Sequence, residues 1–486
     1  MPLTMKGQTR KIQVLLVRSI VEGIVFISLF AGSARANLVG QVDEVISQSL
    51  QHKVRFSICI VEAGSGRIVY EHDANELMIP ASNMKIITTA AALKYLGPDF
   101  EYITKVGLVG HKLVIIGSGD PLLGDEITDE KYHREQGWIF KDITEKLKNK
   151  GVSSIEDIIV DTGIFDDECV HPNWPPDQLN RSYACEISGL NYNLNCIKLS
   201  ARNIGGQIDL VTEPQTSFVT LINEVKPIAS GESALGTYRN RQPNKLTVHG
   251  ECRNEVGPIE VAIERPAAFF GYLLFEYLTQ NGITTKGRFV EKILDDSNEL
   301  ELLAEYKTSM TDCLDRCHKD SLNLGAEALL KTIAAVNNPD GRNGSWQRGR
   351  ELIGEYLQSL GIDQNQFNID DGCGLSRFNK LSARTITKVL SEIYHSDNWN
   401  LYRDSLAVGG IEGTKSIADN FKQDKYKGKI LGKSGYINGV KSLSGVCLTA
   451  KGDYIFSVLA NDTNGQTRDV INDIAKIIID EADGNQ

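Results

Sequence analysis

Three short strings stand in order along the chain: Ser82-Asn-Met-Lys85, Ser321-Leu-Asn323 and Lys433-Ser434-Gly435. Their residue types suit one chemistry, acyl transfer through a serine ester. A serine hydroxyl is a poor nucleophile until a base within hydrogen-bond reach takes its proton. A lysine three residues further along a helix lies on the same face, about one turn away. Desolvation in a cleft, together with a second cation, depresses a lysine pKa until its neutral amine can act as that base. On this reading Ser321 relays a proton toward the leaving amine, and Asn323 hydrogen-bonds a substrate amide and holds Lys85. Lys433 supplies positive potential, Ser434 binds a terminal carboxylate, and Gly435 lets a substrate backbone approach closely. Each string alone also has an ordinary reading: a helix-capping serine with a surface lysine, a second helix cap, and an edge-strand lysine. The three together, in this order and each on a suitable element, favour the chemical reading.

The surrounding pattern supplies those elements. Pro80-Ala81-Ser82 opens an alanine-rich helix running to about Leu96 and stopped by Gly97-Pro98. Ser82 then falls at a helix N-terminus, where free N–H groups and the positive dipole end favour a developing oxyanion. Upstream, the spacing predicts a helix over Val42–Leu50. A hairpin of Arg55–Ile60 and Arg67–Tyr70 follows, turning at Ala63–Gly66. Near the other end, helices are expected over 325–336 and 347–360. Strands are expected over Lys429–Lys433, Lys441–Thr449 and Tyr454–Ala460, and an amphipathic helix over Arg468–Glu481. The early hairpin and the late strands are each too small to stand alone. They are expected to share one antiparallel sheet, covered on a face by the first and last helices.

The fold class expected is therefore α/β (mixed), with one domain split over 37–97 and 306–486. Residues 98–305 form an insertion with its own β-rich core and a nested subdomain near 200–255. Within it, Gly107–Gly117 reads as strand–turn–strand, Thr128–Lys150 as helix, Val152–Asp161 as strand and Ala267–Asn281 as helix.

Composition narrows the partners. At 486 residues the chain can build two or three domains. Residues 1–36 read as an export signal: Lys6, Arg10, Lys11 and Arg18 precede the apolar run Gly23–Ala31, and Ala34-Arg35-Ala36 offers a cleavage site. The expected location of the mature chain is periplasmic or otherwise extracytoplasmic. The net charge of −11, more acidic still without the basic leader, disfavours nucleic acid and anionic lipid as partners. No C-x-x-C pair occurs, and Cys313 and Cys317 lack a matching pair, so no metal is expected. With nine cysteines exported, the expected state is buried thiols plus one or two disulfides, Cys196–Cys252 being the candidate bridge.

The motif set belongs to the serine β-lactamase and penicillin-binding group, and further strings narrow it. These are Gly117-Ser-Gly-Asp-Pro121, Asp161-Thr-Gly-Ile-Phe165, Trp174-Pro-Pro-Asp177, Leu190-Asn-Tyr-Asn193, Ser321 to Glu327, Asp371 to Arg377, Gly410 to Thr414 and Gly432 to Gly435. With them, the chain resembles the D-alanyl-D-alanine carboxypeptidase/endopeptidase family, the low-molecular-mass class C penicillin-binding proteins. The long separation of Ser82 from Ser321 matches that family's insertion. The resemblance implies that Ser82 is acylated by the penultimate D-Ala carbonyl of a peptidoglycan stem peptide, or by a β-lactam. It implies Lys85 as base, Ser321, Asn323 and Lys433 in proton handling and orientation, and the N–H groups of Ser82 and Tyr436 as the oxyanion hole. It makes Asp177 a candidate for gripping the amino end of a diaminopimelate side chain, and it requires no cofactor. The sequence departs from the family pattern at Ser434 (commonly Thr), Tyr436 (Thr or Ser) and Cys373 (Ser). Tyr436 removes a small hydroxyl from the carboxylate subsite. Two other readings stay open at this point: a non-catalytic peptidoglycan- or penicillin-binding module, and a β-lactamase.

Overall fold

The computed structural model describes residues 38–294 and 299–484. The export signal expected over 1–36 lies outside the described residues. A six-stranded antiparallel sheet runs in the spatial order Ala407–Val408, Ile430–Ile437, Val440–Cys447, Tyr454–Asn461, Arg55–Glu62, Ile68–His72. The early hairpin thus joins the late strands through the Arg55–Glu62/Tyr454–Asn461 ladder. Successive side chains of a strand point to opposite faces, and here both faces are buried. Phe56, Ile58 and Ile60 pack with Val470, Ile471 and Ile474 of the last helix, Thr467–Asp483, and with Leu38 and Val42 of a helix over 38–46. Cys59 and Val61 face the other way, into a lobe built by helices Met84–Leu96, Met310–Lys319, Asn323–Val336, Trp346–Ser359 and Ala383–Tyr394. In strand Ile430–Ile437, Ile430 joins the first core and Leu431 the second. By the same alternation Lys433 and Gly435 face the helical lobe.

The segment between Leu96 and Met310 makes a five-stranded mixed sheet in the order Phe289–Glu291, Ile158–Asp161, Lys112–Ile116, Glu101–Val109, Glu301–Ser309. Glu101 pairs with Ser309, so the chain leaves and returns side by side. The same segment forms two three-stranded sheets, one of Cys196–Ile204, Gln207–Glu213 and Glu255–Ala262, the other of Thr220–Pro227, Ala234–Arg239 and Lys245–Cys252.

Several local expectations change. The helix expected over Thr128–Lys150 is two helices, Glu126–Lys131 and Trp138–Asn149. His133 and Gly137 between them take positive φ (55° and 74°), which ends one helix before the next begins. The strand expected over Val152–Asp161 divides into Ser154–Ile155 and Ile158–Asp161, which pair with different partners. The first helix ends at residue 46, and a 3-10 turn, Ser49–Gln51, replaces its expected last turn. The Cys196–Cys252 bridge is not formed, and all nine cysteines are free thiols. Cys196 begins strand Cys196–Ile204, whereas the Cys252 thiol lies against the carbonyl of Ala201, five residues along that strand. At about 3.3 Å per residue, that separation exceeds the reach of a disulfide.

Candidate active site

Ser82 sits in a 3-10 turn, Ala81–Asn83, that runs directly into helix Met84–Leu96. Ala81 has φ 48°, a left-handed conformation that costs about 1–2 kcal/mol for a residue with a Cβ and sets the serine at the helix start. Lys85, one turn on, is fully buried. Its Nζ lies 3.2 Å from Ser82 Oγ, 2.6 Å from Asn323 Oδ1 and 2.9 Å from the carbonyl oxygen of Cys373. Burial holds Lys85 below the ordinary lysine range. Lys433 is also buried and is pushed well below that range, first by desolvation and then by the charge of Lys85. Two ammonium groups in one dry site disfavour being charged together.

The second string lies at the start of helix Asn323–Val336. Ser321 takes φ 60°, again left-handed. Its Oγ accepts from Lys433 Nζ at 2.8 Å, and the same nitrogen donates to the carbonyl of Ser434 at 2.9 Å. Asn323 bridges outward, its Nδ2 donating to the Tyr183 carbonyl at 2.7 Å. The two lysine clusters are joined by Asn83, a residue the sequence reading passed over. Its amide nitrogen donates to the Lys433 carbonyl, and its Oδ1 accepts from Ser444 Oγ at 2.9 Å.

Gly435 follows at the point of closest approach. A Cβ placed there would stand 2.2 Å from Ser442 Oγ and 3.0 Å from both the Pro80 carbonyl and the Ser82 nitrogen. Only glycine lets this strand lie against the serine turn. Ser434 is buried, and its hydroxyl is bound by Thr414 (2.9 Å), the last residue of the Gly410–Thr414 string, and by Ser416 (2.7 Å), which no motif marked. Tyr436 is 68% exposed. The serine turn and its helix, the start of helix Asn323–Val336 and strand Ile430–Ile437 thus bring Ser82, Lys85, Ser321, Asn323, Lys433, Ser434, Gly435 and Tyr436 together. Asp177 lies on an exposed turn, Pro176–Gln178, and its side chain makes no hydrogen bond or ion pair among the described residues; the adjacent Gln178 accepts from the hydroxyl of Tyr183, the residue whose carbonyl holds Asn323.

Behind Lys85 lies a buried carboxylate pair. Glu327 accepts from the amides of Gly372 (3.1 Å) and Cys373 (2.7 Å) and from the Trp346 indole (2.6 Å). Asp371 accepts from the Trp174 indole, the amides of Gly374 and Ser376, and the Asn379 side chain. Burial raises the Glu327 pKa, and Asp371 raises it further. Ligand atoms of Glu327, Asp371 and Cys373 lie within 4.8 Å of one another, a spacing suited to a cation. The N–H groups already aimed at the two carboxylates occupy the oxygen lone pairs a cation would need. The pair is better suited to fixing the loop 371–376, which presents the Cys373 carbonyl to Lys85. On the other side of Lys85, His318 is held neutral, its pKa pushed down to about 3 by burial and by Lys433 and Lys85. It contacts Thr89 Oγ1 at 2.9 Å and Ser405 Oγ at 2.8 Å.

A hydroxyl at a helix start, a desolvated amine beside it, and a second hydroxyl on a second lysine have the arrangement that serine–lysine acyl transfer needs. The D-Ala-D-Ala carboxypeptidase 3 (S13) family profile matches residues 38–480, and the chain belongs to that family. It is 26% identical to a D-alanyl-D-alanine carboxypeptidase of an Actinomadura species, over 94% of this chain and 87% of that protein. It is 23% identical to a D-alanyl-D-alanine carboxypeptidase of Haemophilus influenzae, over 84% and 86%. Its fold is similar to the crystal structure of penicillin binding protein 4 from Haemophilus influenzae, with TM-score 0.75, 21% identity, and coverage of 90% of this chain and 98% of that one. A predatory peptidoglycan endopeptidase of Bdellovibrio bacteriovorus shares the fold at TM-score 0.51 and 17% identity, over 88% and 94%.

Proposed function

We propose that the protein is an exported serine DD-peptidase that cleaves the D-Ala-D-Ala, or D-Ala cross-link, bond of peptidoglycan stem peptides and is acylated by β-lactams. The observation that carries this reading is the 3.2 Å approach of Lys85 Nζ to Ser82 Oγ in a site that lowers the lysine pKa. Neutral Lys85 takes the hydroxyl proton as Ser82 Oγ attacks the penultimate D-Ala carbonyl. The negative oxygen that forms lies between the N–H groups of Ser82 and Tyr436; loss of one such donor costs roughly 3–4 kcal/mol of barrier in comparable sites. The proton taken by Lys85 is handed on to the departing amine, with Ser321 as the relay and Lys433 holding the Ser321 hydroxyl; this leaves an ester on Ser82 and a neutral Lys85. Water then attacks the ester, the proton path runs in reverse, and the free acid leaves. Ser434 serves the substrate carboxylate through its hydroxyl cluster with Thr414 and Ser416. The Tyr436 ring, in place of a small hydroxyl, leaves fewer donors for a free terminal carboxylate, which favours cross-linked peptides alongside terminal D-Ala. Asp177, exposed on its own loop, remains the candidate grip for a diaminopimelate amine. The leader over 1–36 would deliver the chain to the compartment where stem peptides occur.

Fluorescent penicillin should label the wild-type protein covalently, and Ser82→Ala should abolish the label. Retention of label in that variant would refute the nucleophile. Mass analysis of defined muropeptides after incubation separates release of terminal D-Ala from cleavage of cross-links.

A further inference from the structure

Arg468, near the start of the last helix, has an arrangement that its own packing does not explain. Its guanidinium is largely buried, and burial lowers its pKa to about 10, so it stays charged at neutral pH. It forms no ion pair among the described residues. Its hydrogen bonds go to two backbone carbonyls, Nη2 to Gly435 at 2.8 Å and Nη1 to Ser442 at 3.0 Å. Asp469 acts on it electrostatically without forming an ion pair; a desolvated charge with no ion-pair partner is costly to a fold, so what it binds is informative. Gly435 and Ser442 are cross-strand partners. Their side-chain positions face Pro80 and Ser82, whereas the last helix packs on the opposite face of the sheet. Arg468 therefore reaches the strand from behind.

The Gly435 carbonyl and the Tyr436 N–H belong to one peptide group. In a planar trans peptide the two point in opposite directions, so a cation fastened to the carbonyl fixes the direction of the N–H. It also polarises the peptide, because hydrogen bonds in a chain strengthen one another. We propose that Arg468 is a positioning residue for the oxyanion hole, holding the Gly435–Tyr436 peptide from behind the sheet so that the Tyr436 N–H is aimed at the carbonyl oxygen of the acylated substrate. This rests on the reading of Ser82 as nucleophile and Tyr436 N–H as oxyanion donor.

The test compares wild type, Arg468→Met and Arg468→Lys with a penicillin labelled with carbon-13 at the β-lactam carbonyl. Acylation rate, melting temperature and the infrared stretch of the acyl-enzyme ester carbonyl are read for each. A carbonyl that accepts strong hydrogen bonds absorbs at lower frequency than a free one, and loss of general packing alone does not move that band. In Arg468→Met the band is expected to shift to higher frequency. Acylation is expected to slow by roughly 10- to 100-fold, less than the 10²–10³ that follows removal of an oxyanion donor itself. Arg468→Lys, which keeps the charge and one donor direction, is expected to fall between. An unchanged band and rate in a folded Arg468→Met protein overturns the proposal. Failure of both variants to fold overturns it as well, because Arg468 would then serve the fold. Absence of any acyl-enzyme in the wild type is a different failure and refutes the nucleophile reading instead.

Discussion

Lys85 shows what a single residue gains from its surroundings. Three oxygens around its Nζ satisfy a group that burial would otherwise leave stranded, and the same burial makes the neutral amine accessible. Lys85→Met is expected to lower the acylation rate by at least about 10²-fold, the usual range for a general base, with an unchanged circular dichroism spectrum; wild-type rates would remove the base role. The pH dependence has a definite sign. The reactive form is the deprotonated one, so acylation rises with pH, and because the pKa is lowered the midpoint of that rise lies below 10.5. Stopped-flow acylation across pH reads the midpoint directly. At this scale the sequence marked side chains that the fold gathers in one place, Ser82, Lys85, Ser321, Asn323 and Lys433. It was silent at Cys373, which contributes its carbonyl, because any residue type offers the same backbone oxygen.

Two elements carry most of the site, the serine turn with its helix and strand Ile430–Ile437, and Asn83 fastens one to the other. It is fully buried, with its amide on the Lys433 carbonyl and its oxygen on Ser444. Asn83→Ala removes the buried bond to the Lys433 carbonyl and one of the two bonds of Ser444 Oγ, which keeps Ser457 Oγ at 2.8 Å; loss of such buried bonding costs about 1–3 kcal/mol. Chemical denaturation should show a loss in that range, and acylation should slow because the Lys433 strand is no longer tied to Ser82. The strands were readable as short apolar runs bounded by turn residues, since both faces of this sheet are buried. The helix break at His133–Gly137 was not, because positive φ at a histidine leaves no mark in hydrophobic spacing. Asn83 was hidden for a related reason: a variable position within S-x-x-K becomes a fastener only when a strand from far along the chain arrives beside it.

Over the whole molecule, the segment between Leu96 and Met310 touches the catalytic lobe where the site is built. Tyr183 receives Asn323, the Trp174 indole donates to Asp371 at 2.9 Å, and Lys331 pairs with Asp166 at 2.6 Å. Trp174→Phe keeps the buried ring and removes one donor from a buried carboxylate. It is expected to destabilise the protein by about 1–3 kcal/mol and to slow acylation through the loop that carries Cys373. Denaturation coupled to penicillin kinetics measures both, and an unchanged stability would show that Asp371 does not depend on this contact. The amino-acid sequence by itself determined the reaction type and the sheet that hosts it, because nucleophile, base and short apolar runs between turn residues are properties of residue identity and near-neighbour spacing. Only the tertiary structure decided which backbone carbonyls and amides complete the site, that Cys196 and Cys252 stay apart, and that Arg468 reaches Gly435 from behind the sheet. Those outcomes depend on distances between residues remote in the chain, and such distances exist only once the strands and helices have packed.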